Sequence, residues 1–370
     1  MNSQEIRNDL NSLGLSENID LATLVYIAVA VRKTRNKLSF LITGPAGLGK
    51  SELVKRVFSL FPEDNIVACT KMTPAALTRQ GDLSERVLFI DENFRDAQFA
   101  QFIRLLMSEG RVIYTTANAD HHLQGPTTLI ETTADTRAIG IENKSRCFVV
   151  RINATREAKN NILEKQKASR TLEGLLFQRN TPNLMERHKS FQESLDPALE
   201  VAIPFSNNIN FYATPHHATR MLERALNVIS AVAYINQDKR EIKEIDGMRY
   251  IEATEADFKE AKSLLVGISL EEDDNEIPFE SIKLAEDLLL NRESLNSSFS
   301  RADLLSVLNK QYRTFKPIKK RLDPLIEAGF INIVKQKGLK NGYLYELDSD
   351  FVIMDSTDLA RNSYVVLTLS

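Results

Sequence analysis

Two kinds of apolar pattern alternate along the first part of this chain. Short, nearly continuous runs, LSFLITG, NIVACTK, RVLFIDE, TTLIETT and CFVVRI, read as strands buried on both faces. Between them, KSELVKRVFSLF and DAQFAQFIRLLMSEG space their apolar residues three and four apart, as a helix with one buried stripe does. Strands alternating with helices predict an α/β domain over residues 1–154, N-terminal helices included, on a mostly parallel sheet covered on both faces. Past Ala154 the strand signal stops. TREAKNNILEKQKASRTLEGLLFQRN and TPHHATRMLERALNVISAVAYINQ are helical in period, so an all-helical domain is expected over 155–268.

The acidic stretch SLEEDDNEIP (Ser269–Pro278) ends in proline and reads as a linker. Beyond it, residues 279–350 predict a small α+β unit, and 351–370 a C-terminal tail. SFSRADLLSVLNKQY opens with Ser300 and Asp303 at capping-box spacing. KPIKKRLDPLIEAG is a second helix, with Pro317 in its first turn and Gly329 at its end; Pro324 should kink or shorten it. FINIVKQKGLKNGYLYEL reads as two strands around a Lys/Gly-rich tip. Helix, helix and hairpin follow one another in the order of a winged helix.

Charge sharpens this picture locally. The whole chain of 370 residues carries a formal net charge of −3, which gives no overall bias toward polyanions. From Arg301 to Gly342, however, ten Lys/Arg stand against three Asp/Glu. Lys316, Lys319, Lys320 and Arg321 cluster at the start of the second helix, and Lys335, Lys337 and Lys340 decorate the hairpin. Such a helix end suits a DNA major groove, and such a hairpin suits phosphates; a protein-docking role or a solvated basic face is the alternative. Two cysteines, Cys69 and Cys147, make neither a disulfide framework nor a metal site. The start lacks a signal-peptide pattern and no apolar stretch approaches membrane-spanning length, so a cytoplasmic protein without membrane contact is expected.

The candidate chemistry begins after the first strand. Gly44, Pro45, Ala46, Gly47, Leu48, Gly49, Lys50 and Ser51 spell the phosphate-binding loop, followed by Glu52, and they sit between a strand and a helix as that motif requires. The glycines let backbone N–H groups turn toward phosphate oxygens, and the helix N-terminus adds its positive end. Lys50 supplies a point charge to the β/γ-phosphates, and the Ser51 hydroxyl is a ligand for Mg²⁺. Asp91 and Glu92 stand where RVLFIDE ends, at the edge that faces ligands in parallel sheets. Asp91 would hold Mg²⁺ through its water shell and Glu92 would polarise the attacking water, which predicts ATP hydrolysis; a helix cap is the bland reading of the pair.

Between Gly110 and Leu129, RVIYTT, ANADHH and LQGPTT predict a β-hairpin with Ala119–His122 near its tip. Three readings compete for this segment. His121 and His122 could touch nucleic acid, they could be metal ligands, or RVIYTTAN could itself be a strand of the main sheet ending at Asn118.

GPAGLGKS, VLFIDEN, GPTTLIETTAD and NKSRCFVVRI, in this order, resemble an AAA+ ATPase of the pre-sensor-1 hairpin group, which includes the minichromosome maintenance helicases and RuvB. The match is nearest to minichromosome-maintenance-like modules of bacterial mobile elements and phages and spans about Leu21 to Tyr250. The resemblance implies an all-helical lid domain and assigns Thr132 or Thr133 as sensor 1. It makes Arg146 an arginine finger acting on a neighbouring subunit, and Arg220 sensor 2, with Arg224 one turn away as the alternative. It further implies a hexameric ring, hairpins gripping single-stranded DNA in the pore, duplex DNA at the winged helix, and a primase or initiator as partner. Histidines stand where such a hairpin would carry lysine or arginine, and give little counterion-release affinity. The function expected is a replicative helicase, motor or loader of a mobile element. An ATP-switched, initiator-like DNA binder and a remodeller of proteins are the alternatives.

Overall fold

The computed structural model describes residues 1–70, 72–91, 97–115, 120–125, 127–134, 146–152, 156–212, 218–266, 268, 279–291, 295, 298–308, 312–327, 331–334, 343–347 and 366–369. The chain divides into two compact units, Met1–Pro204 with Arg224–Glu271, and Phe205–Glu223 with Glu272–Ser370.

The first unit is built on the five strand runs that the sequence predicts. Along the chain come β1 (Phe40–Thr43), β2 (Ile66–Cys69), β3 (Val87–Ile90), the pair β4 (Arg111–Thr115) and β5 (Asp120–Gln124), then β6 (Thr128–Thr133) and β7 (Phe148–Arg151). Five of them form one sheet in the order β2-β3-β6-β1-β7, with every neighbouring pair parallel. The chain is therefore α/β about a parallel central sheet.

Both faces of this sheet are covered, because its strands are apolar on both sides. Leu41, Leu88, Ile90 and Leu129 pack with Phe99, Phe102, Ile103 and Leu106 of α5 (Ala97–Glu109). Phe89 points the other way and meets Phe58 of α3 (Lys50–Phe58) edge-on, ring centroids 5.3 Å apart. Each such side chain contributes roughly 1.5–3 kcal/mol by leaving water.

Four further helices, α1 (Ser3–Ser12), α2 (Ile19–Ala30), α4 (Pro74–Thr78) and α6 (Arg156–Ala168), precede α7 (Leu172–Ser194). In α2 every residue from Leu21 to Ala30 is buried, so it runs through the unit's interior and touches α1 and α3. One polar chain crosses this interior. Gln192 of α7 donates to the Tyr26 hydroxyl at 3.0 Å, that hydroxyl lies 2.8 Å from His188 Nδ1, and His188 Nε2 lies 3.1 Å from Asp9 of α1. Neutral His188, with its proton on Nε2, satisfies every link: Tyr26 donates to Nδ1 and Nε2–H donates to the carboxylate.

The all-helical expectation for 155–268 is corrected. Strands β8 (Glu200–Ala202), β10 (Lys243–Ile245) and β11 (Met248–Glu252) form a three-stranded sheet in the order β10-β11-β8, and β9 (Ile209–Tyr212) also falls in this range. These strands are three to five residues long and carry no apolar run, which hides them from a pattern search. The available signal was Asp246–Gly247, whose φ values of 49° and 79° make the tight turn between β10 and β11. Helices α8 (Ala218–Ile235) and α9 (Glu255–Val266) complete the range.

In the second unit, α10 (Phe279–Leu290), α11 (Arg301–Val307) and α12 (Phe315–Glu327) precede the antiparallel pair β12 (Ile331–Val334) and β13 (Leu344–Leu347). Ser300 and Asp303 close the expected capping box on α11. Helix α12 runs on through Pro324, held by the buried residues Ile318, Leu322 and Leu325. A last strand, β14 (Val366–Leu369), pairs antiparallel with β9, so the predicted tail is in part a strand. The acidic stretch 269–278 lies outside the described residues. Among those described, no helix is long and apolar enough to cross a membrane.

Candidate nucleotide site

The carboxyl ends of β1, β3 and β6 are neighbours in the sheet, so the loop after β1 and the residue after β3 open onto one cleft. The order of connection switches sides at β1: the next strand, β2, lies three places to one side, and β7 lies on the other. Parallel sheets bind ligands at such a point.

The loop Gly44–Gly49 leads from β1 straight into α3, whose first residue is Lys50. Gly44 cannot carry a side chain here. Its φ is 135°, and a Cβ would lie 2.5 Å from the Ile152 carbonyl oxygen. Gly49, at φ 75°, caps the helix in the left-handed conformation. Pro45, Ala46 and Gly47 are exposed while Leu48 is buried, which anchors the loop. The first N–H groups of α3 are those a helix leaves without intrahelical acceptors. The Lys50 ammonium donates to the carbonyls of Gly44 at 2.7 Å and Pro45 at 2.9 Å, so it sits across the loop. Glu52 points away, paired with Arg56 one turn on at 2.7 Å.

Asp91 is the centre of the site. Its backbone N–H donates to the Cys69 carbonyl at 2.8 Å, which fixes it beyond the end of β3. Its Oδ1 accepts from the Ser51 hydroxyl and, at 2.8 Å, from Thr132 Oγ1; its Oδ2 accepts from Lys55 Nζ at 2.8 Å. Burial alone would raise the pKa of this carboxyl, but the hydrogen bonds from Lys55, Ser51 and Thr132 outweigh it and hold the pKa below its usual value. Ionised Asp91 and the Ser51 hydroxyl are hard oxygen donors of the kind Mg²⁺ takes alongside phosphate oxygens, so this pair fits that ion.

The two threonines face opposite ways. Along β6 side chains alternate, so Thr132 turns to the Asp91 side, whereas Thr133 turns to the opposite face. Lys55 was not singled out from the sequence. The signal was its spacing: four residues after Ser51, it lies on the same face of α3 and reaches the same carboxylate.

Arg146 and Arg224 belong to another region. Arg146 precedes β7, whose first residue Phe148 is level with Phe40, at the amino end of β1. The loop leaves the carboxyl end, about 10 Å further along by the rise of three strand residues. Arg224 donates to the Cys147 carbonyl and stands 5.4 Å over the Phe148 ring, so it braces the same distant edge. Glu92 lies outside the described residues, as does the side chain of Arg220, whose backbone is in the first turn of α8.

The hairpin exists and stands apart from the main sheet, so RVIYTT is not one of the main sheet's strands. Asp120 pairs with Thr115, and residues 116–119 lie outside the described residues. His121 and His122 are instead in β5, opposite Tyr114 and Ile113, with His122 exposed. Among the described residues no cluster of His, Cys, Asp or Glu is arranged to hold a metal ion. Both cysteines are free thiols, and burial pushes that of Cys69 up to about 11.

On α12, Lys316, Lys319 and Lys320 are exposed. Arg321 differs: it pairs with Glu280 of α10 at 2.5 Å and reaches the Tyr312 hydroxyl, so it holds the unit together. Lys335, Lys337 and Lys340 lie outside the described residues.

No family model matches this chain, and no curated protein matches it either.

Proposed function

We propose that this chain is an AAA+ ATPase that binds ATP with Mg²⁺ at the β1–α3 loop and acts on DNA as an oligomer. One observation carries the reading: Lys50 and Ser51, Asp91, and Thr132, from three separate stretches of sequence, converge at the carboxyl edge of three adjacent parallel strands. In the bound state the loop and the start of α3 would cradle phosphates, Lys50 exchanging two neutral carbonyls for charged oxygens. Bound Mg²⁺ would neutralise charge on the β/γ-phosphates, held by Ser51 and Asp91. Thr132 keeps Asp91 aimed, and Glu92 is the general base for water.

The distant place of Arg146 favours action on a second copy, since it stands at the far edge of its own sheet. The exposed lysines of α12 support DNA contact by a winged-helix unit. Mobile-element replication, as motor or loader, is the biological role we assign to this combination. ATPase rate and particle size, measured with and without single-stranded and duplex DNA, test it. DNA-stimulated turnover by an assembled particle supports the reading. Fork unwinding separates a motor from an initiator, and ATP turnover indifferent to DNA indicates a protein remodeller instead.

A further inference from the structure

The Asp91 carboxylate already carries a cation. Its Oδ2 accepts from Lys55 Nζ at 2.8 Å, while Oδ1 is shared by Ser51 and Thr132. Ser51 and Lys55 sit one turn apart on α3, so one rigid element presents a hydroxyl to one oxygen and an ammonium to the other. The two partners differ in access. The Lys55 side chain is 58% exposed and that of Asp91 15%, so the ammonium approaches from the solvent side and can withdraw without opening a cavity.

We propose that Lys55 is a resident counter-ion of Asp91 that a divalent cation must displace when nucleotide loads. This rests on the nucleotide reading of the site. A dication against Asp91 would stand within a few ångströms of the ammonium, and like charges that close repel. The ion pair therefore does two things. It keeps the carboxylate ionised and oriented in the resting protein, and it sets how much Mg²⁺ is needed before metal and nucleotide enter together. Lys55 is a positioning residue that acts through Asp91. Its flexible four-carbon stem suits it to be exchanged, and the modest strength of an exposed ion pair makes the exchange cheap.

The test titrates a fluorescent ATP analogue against the full-length protein over a range of Mg²⁺, and repeats it in EDTA. Lys55→Met removes the charge and keeps the aliphatic stem; Lys55→Arg keeps the charge. In Lys55→Met the half-saturating Mg²⁺ should fall roughly two- to fivefold, the range expected for releasing an exposed pair. Lys55→Arg should stay at the wild-type value, and affinity in EDTA should be the same in all three proteins. An unchanged or raised Mg²⁺ requirement in Lys55→Met overturns the inference while leaving the nucleotide reading intact. If wild type and a Lys50→Ala control are alike in binding no nucleotide under either condition, both fall together. Melting temperature without Mg²⁺ is the second readout: Lys55→Met should melt slightly lower, and Mg²⁺ with nucleotide should abolish the difference.

Discussion

Thr132 donates its hydroxyl to Asp91 Oδ1 across 2.8 Å, and this joins the end of one strand to the residue that follows its neighbour. Thr133, next in sequence, turns to the opposite face of β6. Replacing Thr132 by Val removes a hydrogen bond to a charged group, worth about 1.5–3 kcal/mol, so turnover should drop at least tenfold. Thr133→Val should cost much less turnover. Steady-state ATPase assays on the two variants check this; equal losses would refute the assignment of roles.

Lys50→Ala should abolish binding of a fluorescent nucleotide while leaving the fold intact by circular dichroism. Glu92→Gln should still bind and hydrolyse slowly. Arg146→Ala should bind normally yet turn over little, and wild-type turnover per chain should fall on dilution if the finger acts between copies. Full turnover in Arg146→Ala would contradict that arrangement.

Gly44→Ala is predicted to destabilise the chain rather than merely weaken nucleotide binding. The added Cβ meets the Ile152 carbonyl 2.5 Å away, in a backbone conformation that strains any other residue by about 1–3 kcal/mol. Gly47→Ala meets no neighbouring atom, so its cost is limited to backbone strain. Urea unfolding of both variants, read without nucleotide, gives the comparison.

Acid should loosen the first unit through His188. Burial, opposed by Asp9, holds this imidazole below its ordinary pKa in the folded protein. The unfolded chain therefore binds the proton first, and stability falls as pH drops below about 6.5, the ordinary value for histidine. Melting temperature should decline between neutral pH and that acid range in wild type, and decline less in His188→Gln. Tyr26→Phe, which strips Nδ1 and Gln192 of a partner, should cost about 1–3 kcal/mol at neutral pH.

In the second unit, lysine and arginine on one helix should behave differently. Each of Lys319→Ala and Lys320→Ala should weaken DNA binding and reduce its salt slope by about one, with little change in stability. Arg321→Ala should instead lower the melting temperature, because it releases Glu280 and Tyr312. Binding measured over a salt series, beside thermal melts, separates the two effects.

The main sheet and the glycine-spaced loop after β1 were legible because their signals are local. Five apolar runs became five parallel strands, and a glycine-spaced loop sits between β1 and α3. Less legible was anything decided by which face a side chain takes. Thr132 and Thr133 are equivalent in sequence and opposite in space, and Lys55 joins the site only through helix geometry. The histidines, expected near the hairpin tip, pair within β5, because hairpin register depends on where pairing begins, which alternation alone leaves open. The small sheet β10-β11-β8 escaped because half-exposed strands of three to five residues carry too few apolar positions to set a period.

Strand β1, inside the main sheet, has no partner close to it in sequence. Phe40 lies beside Ile130 and Phe148, ninety and more residues downstream. A ribosome that has delivered the loop after β1 and even Asp91 has not yet delivered the strands that flank β1. Until they emerge, an apolar strand stands with both edges bare, and closing such distant ends is slow. Newly made chains should therefore need shelter in that interval, and fragments cut before Thr128 should aggregate rather than fold.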